Sequence, residues 1–444
     1  MAQRPISSTL LHPRRILVRG VNWLGDAVMT TPALHRLREA QPQAHITLLT
    51  HEKLKDLWLQ HPDIDAVLTY RRGESVLSVA RRLRLPAVIQ GFREGAKAFE
   101  AATAEVIRDV RKAAVGKVLV EGAAAAVSEA AGRVREQLFD VALILPNSPR
   151  SALEAWLARI PHRIGYARPW RNGFLTQAIP PRPERLEMRK RSSREIRGLV
   201  AAAASAVPID HRPPAIAHPQ AHQVREYLRL VAALGANPDP VLPFLYVTAD
   251  EVEAIRRQFA LDAARRWLGL IPGAEYGPAK RWPEGHFIAA AGELQRRVGC
   301  GIVIFGSQAD MPLARAIESA IGHPPSPVRN LAGRTSLREL CAALKVCDAA
   351  LTNDTGPMHV AAAVGTPVVA PFGSTSPELT GPGLPGEPRH RLLKSAAPCS
   401  PCFRRECPID FRCLNGITVP RVVEAVMEAL AAREPSDERA ESGA

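Results

Sequence analysis

The strongest constraint on how this chain folds is a repeated change of hydrophobic period. Short apolar runs of strand length are each followed, within a few residues, by helical spacing. The stretch "RRILVRGVNWLGDAVMTTPALHRLREA", residues 14–40, shows it first. Ile16–Arg19 reads as a buried strand, and Ala27–Glu39 carries apolar residues at helical intervals. Strands that alternate with helices specify a mainly parallel sheet. The same grammar places strands at His45–Leu49, Ala66–Tyr70, Val141–Leu145 and Arg163–Tyr166, with helices at Lys53–Leu59 and Ser151–Arg159. It restarts at "WLGLIPGA" and runs through a helix over Phe287–Val298, "GIVIFGS", a helix over Leu337–Lys345, "AALTN", a short helix after Gly356 and "PVVAPFG".

Two such series fit the length, because 444 residues exceed what one small core organises. The expected fold class is therefore α/β, with two Rossmann-like domains. Residues 1–236 form the first and 241–419 the second, joined near "GANPDPVLP", with a helix over 420–433 and a disordered tail over 434–444. Two segments interrupt the pattern. Residues 86–136 are Ala-rich and helix-prone, and read as a helical insertion, either a surface hairpin or a docking element. Residues 182–198, "RPERLEMRKRSSREIRG", form a cationic run that is either a solvated face or the edge of an anion site.

No window is long and apolar enough to cross a bilayer, and the first residues lack a signal-peptide pattern, so a cytoplasmic protein is expected. Net charge is +14, which favours anionic partners. The basic residues are dispersed and no nucleic-acid recognition motif is present, so nucleic acid is not the expected one.

The turn after the first strand lacks the glycine fingerprint of a dinucleotide site and carries Asn22-Trp23-Leu24-Gly25-Asp26 instead. Asp26 reads either as a helix N-cap, where the helix dipole favours its ionised form, or as a general base at the carboxyl edge of the sheet. Gly25 permits a tight turn and close approach of another molecule. A phosphate cradle is expected later, in "LTNDTGPMHVAAAVGTPVVAPFG". There a polar loop, Asn353 to Gly356, opens a helix whose free N–H groups suit a diphosphate, with His359 in its first turn and Gly365 and Pro367 closing it. Lys280 and Arg281 in "IPGAEYGPAKRWP" supply cations that neutralise phosphate without a metal.

Taken together, "RGVNWLGDAVMTTPAL", "LPNSPRSALEAWLARIPHRIGYAR", "PGAEYGPAKRWP", "LTNDTGPMHVAAAVGTPVVAPFGSTSPELTGP" and "CSPCFRRECPIDFRCL" resemble glycosyltransferase family 9, on its heptosyltransferase side. The resemblance implies a GT-B fold, with the acceptor held by the N-terminal domain and the nucleotide-sugar by the C-terminal one. It implies Asp26 as general base, with Lys280, Asp354, Thr355, Gly356 and His359 binding the donor. Asn22, Trp23, Gly25, Asn147 and Arg163 are acceptor-side candidates. The implied reaction is inverting transfer of heptose from ADP-L-glycero-D-manno-heptose to the heptosyl-Kdo inner core of lipopolysaccharide. No cofactor and no divalent ion are implied, and the site of action is the inner face of the cytoplasmic membrane, in peripheral contact with anionic lipid. Another family 9 transferase, or a GT-B protein that binds nucleotide or glycan without catalysis, are the alternatives. A pure binder would not need the base.

Asp63 and Asp65 in "PDID" read as a polar loop. Cys399, Cys402, Cys407 and Cys413 are candidates for a structural zinc site, for reduced structural thiols, or for a regulatory disulfide.

Overall fold

The computed structural model describes residues 12–84, 139–183, 186, 188–203, 219–322 and 327–431. The helical segment expected over 86–136 and the tail from 434 lie outside the described residues. In chain order the first half runs β1 (Arg15–Arg19), α1 (Leu24–Met29), α2 (Thr31–Ala40), β2 (His45–His51), β3 (Ala66–Tyr70), α3 (Val76–Arg84), β4 (Val141–Ile144), α4 (Pro149–Leu157), β5 (His162–Tyr166) and β6 (Gln177–Ile179). Its six strands are all parallel, in the order β3-β2-β1-β4-β5-β6.

The second half contains α5 (Ser193–Ala203), α6 (Val224–Ala232), α7 (Ala249–Phe259), β7 (Trp267–Ile271), α8 (Glu284–Val298), β8 (Gly301–Ile304), α9 (Met311–Ile321), β9 (Val328–Asn330) and α10 (Leu337–Val346). It closes with β10 (Ala349–Thr352), α11 (Gly356–Ala363), β11 (Val368–Phe372), α12 (Pro377–Thr380), β12 (Arg391–Lys394), α13 (Arg412–Asn415) and α14 (Val419–Ala431). These strands are also all parallel, ordered β12-β11-β10-β7-β8-β9. Counted from its own first strand, each sheet has the same order, 3-2-1-4-5-6, the doubly wound arrangement. In such sheets the ligand crevice opens where the order reverses, at the carboxyl ends of the first and fourth strands. Those ends are β1 and β4 in one sheet, and β7 and β10 in the other.

The chain divides into two compact units that are discontinuous in sequence. One comprises Met1–Gly20, Gln41–Glu52 and Asp65–Pro180; the other comprises Val21–Ala40, Lys53–Ile64 and Pro181–Ala444. In the first, Leu17, Leu49, Ala142 and Ile144 pack with Val79, Leu83 and Ala152 of α3 and α4. Buried Arg19, at the end of β1, pairs with buried Glu154 at 2.8 Å. In the second, Leu268, Leu270, Ile302 and Leu351 pack under Trp282, Phe287 and Val426. Burying an aliphatic side chain of this size contributes about 1.5–3 kcal/mol.

The single helix expected over 27–39 is two helices. Pro32 has no N–H to give the carbonyl of Val28, and the Thr31 hydroxyl takes that place at 2.9 Å, so the ladder breaks at Thr30 and restarts as α2. The cationic run is not simply a solvated face: the Arg191 N–H donates to the Cys402 carbonyl, and the Arg404 side chain donates to the Arg191 carbonyl.

Candidate active site

Two short helix starts meet within the second unit. Gly25 lies in the first turn of α1, and a side chain added there would come within 2.7 Å of His359 Cδ2 on α11. Gly356 opens α11, and a side chain there would come within 2.8 Å of Leu24 Cβ. Each helix thus offers a glycine to a side chain of the other, and the two amino ends lie in direct contact. Gly25 therefore makes no tight turn; its value is the missing Cβ.

Asp26 belongs to the first turn of α1 and does not cap it. The N-cap position is Trp23, and no side chain caps there. The Asp26 carboxyl is withdrawn from water, which pushes its pKa up to about 6 despite a hydrogen bond from Gln223 and the nearby charge of Lys280. Burial thus overrides the dipole that favours the ionised form. The Gln223 amide nitrogen donates to Asp26 Oδ1 at 3.2 Å.

The cradle forms at the carboxyl ends of β7 and β10. Thr355 stands at the N-cap of α11 without a side-chain cap, so the N–H groups of the first turn face an incoming ligand uncapped. Lys280 Nζ lies 2.6 Å from Asp354 Oδ2, and the Thr375 hydroxyl donates to the same oxygen. His359 is buried, and burial pushes its pKa down to about 4, so the ring is neutral at pH 7. Fully buried Asn353 ties the cradle together: it accepts from the Trp282 N–H at 2.9 Å and donates to the Pro272 carbonyl at 2.7 Å. From the other side, the Ala279 N–H donates to the Arg405 carbonyl and the Tyr276 hydroxyl to the Phe403 carbonyl, so the loop carrying Lys280 rests on the cysteine-containing loop.

Sequence reasoning placed Asp26, Lys280, Asp354, Thr355, Gly356 and His359 together, and all lie in this one unit. It missed Gln223, which stands in no motif, and Thr375, which lay within "FGSTSPELTGP" without a signal of its own. Asn22 and Trp23 precede α1 and are exposed, with Lys53 Nζ 5.5 Å from the Trp23 ring. Asn147 is exposed just beyond β4, at its carboxyl end. Arg163 lies near the start of β5 and is spent on backbone carbonyls, those of Phe174 at 2.6 Å and Ile160 at 2.5 Å, so it serves the fold at the opposite end of its strand.

The metal option for the cysteines is corrected. Among the described residues no three His, Cys, Asp or Glu side chains are placed to hold a metal ion. The four thiols are reduced and line one narrow crevice, yet they pack as small hydrophobes. Cys399 and Cys402 join Ile196, while Cys413 joins Leu414 in the main core.

The sequence profile of glycosyltransferase family 9 (heptosyltransferase) matches residues 127–411, and the chain belongs to that family. Lipopolysaccharide heptosyltransferase 2 of Escherichia coli K12 is 30% identical over 376 residues, which cover 83% of this chain and 85% of that one. Lipopolysaccharide heptosyltransferase 2 of Salmonella typhimurium is 29% identical over 370 residues, with the same coverage. Among solved structures, that of E. coli ADP-heptose lps heptosyltransferase II superposes with a TM-score of 0.64 at 25% identity, covering 94% of this chain and 99% of that one. The fold is GT-B, as the sequence led one to expect.

Proposed function

We propose that this chain transfers heptose from ADP-L-glycero-D-manno-heptose to the heptosyl-Kdo inner core of lipopolysaccharide, with inversion and without a divalent ion. One observation carries the reading. A carboxyl group with a pKa of about 6 stands on α1 where that helix packs against the anion-ready start of α11. The Asp26 carboxylate takes the proton of an acceptor hydroxyl, whose oxygen attacks the anomeric carbon. The bond from that carbon to the β-phosphate oxygen breaks, and ADP leaves with the electron pair. Lys280 and the first-turn N–H groups of α11 meet the charge that develops on the departing phosphate. His359, neutral and buried, fixes the distance between α1 and α11. The E. coli and Salmonella relatives carry names that match this donor and acceptor.

The test is ADP release from ADP-heptose with mono-heptosylated Kdo2-lipid A, in EDTA, beside the variant Asp26→Asn. The expected result is release that requires acceptor, survives EDTA and falls roughly 10²–10⁴-fold in the variant, the usual size of general-base catalysis. The acidic limb of kcat/KM should fall near pH 6, because only the ionised carboxyl accepts a proton. Release with another acceptor alone would replace the assigned substrate, and ADP binding without release from any acceptor would mark a binding protein.

A further inference from the structure

We infer that Gln223 is a positioning residue that holds the Asp26 carboxylate in the orientation from which it accepts a proton; this rests on the general-base reading of Asp26. Gln223 occupies the N-cap of α6, yet its side chain makes no capping bond there. Instead its amide nitrogen lies 3.2 Å from Asp26 Oδ1 and 2.9 Å from the Tyr227 hydroxyl oxygen. An amide nitrogen carries two hydrogens, and this geometry allots one to each. Engaging Oδ1 directs Oδ2 to the hydroxyl that must be deprotonated.

The residue is itself held firmly. Its backbone N–H donates to the Leu379 carbonyl at 3.0 Å. Its neighbour His222 is buried, donates from Nε2 to the Gly381 carbonyl at 3.1 Å, and accepts the Val224 N–H at Nδ1. Both ring nitrogens are thereby committed, and burial keeps the ring neutral, with a pKa of about 4. Residues 222–223 thus hook onto the chain at and beyond α12 and deliver the amide to the carboxylate. The other groups that face Asp26 are Lys280 and Asp354 through space, the His359 ring against Gly25, and Tyr227 from α6. None of them changes in the variants below.

The experiment measures kcat/KM against pH, together with ADP affinity and Tm, for full-length wild type, Gln223→Leu and Gln223→Glu. Removing the donated hydrogen bond destabilises the carboxylate, so the acidic limb of Gln223→Leu should move to higher pH by about half a unit or more. Gln223→Glu keeps the shape but adds a like charge, and its limb should move further in the same direction. Turnover should drop about tenfold while ADP affinity stays within about twofold. An unmoved limb in both variants, with activity lost only in step with Tm, would overturn the inference and leave Gln223 a structural residue. Full activity in Asp26→Asn would instead sink the general-base reading underneath it, so the two failures are distinguishable.

Discussion

A carboxyl group withdrawn from water prefers its proton, and Asp26 is held in that condition. In the unfolded chain it ionises near pH 3.8 and in the folded protein near pH 6. The folded state therefore binds more protons across that window, and its stability declines as pH rises from about 3.8 to about 6. The loss is of the order of 2–3 kcal/mol above the window. Asp26→Asn removes the charge and with it this penalty. The inactive variant should melt higher than wild type at pH 7.5, and the difference should vanish below pH 4, as calorimetry at the two pH values would show. Glycine offers a second residue-scale test. At Gly356 an added methyl meets Leu24 Cβ, an atom next to the backbone that cannot swing aside. Gly356→Ala should lower Tm and depress turnover. Gly292→Ala, in the middle of α8 with nothing within 4 Å of the added atom, should instead be neutral or stabilise by up to about 1 kcal/mol. Asp26 and His359 were legible in the sequence because each stands in a strand-loop-helix signal. Gln223 was not, because its meaning comes from a partner 197 residues away.

At the scale of elements, the strands were read nearly to their ends, since a fully buried parallel strand is an unbroken apolar run such as Val141–Ile144. The split between α1 and α2 was not read. Thr30, Thr31 and Pro32 permit either a continuous helix with a kink or a restart, and the hydroxyl bond from Thr31 to Val28 decides for the restart. The cysteine loop misled for a related reason: close spacing of thiols invites a metal, but the backbone turns two of them into one apolar cluster and a third into another. Cradle geometry depends most on Asn353, which links the turns after β7 and β10. Asn353→Leu would leave the Trp282 N–H and the Pro272 carbonyl buried without partners. The expected loss is about 2–4 kcal/mol in urea unfolding, with weakened ADP binding because the loop bearing Lys280 loses its anchor.

At the scale of the whole molecule, 58 Lys and Arg residues against 44 Asp and Glu give a protein that anionic surfaces attract. Sedimentation with vesicles containing anionic phospholipid should carry the protein down at low salt and release it progressively as salt rises. Equal sedimentation with neutral vesicles would exclude an electrostatic origin. The discontinuous units have a further consequence, for how the protein is made. The helices α1 and α2 leave the ribosome among the first forty residues but belong to the unit completed last. Asp26 is translated 197 residues before Gln223, and Thr31 comes 213 residues before Phe244, whose N–H its hydroxyl accepts. At roughly 5–20 residues per second that separation is about 10–40 s of synthesis. Through that interval Ala27, Val28, Met29 and Leu34 have no native partners in the second unit beyond their own neighbourhood in sequence. The catalytic carboxylate is thus among the first groups synthesised and among the last to be put in place, and the nascent chain must be kept from misassembly at its own amino end.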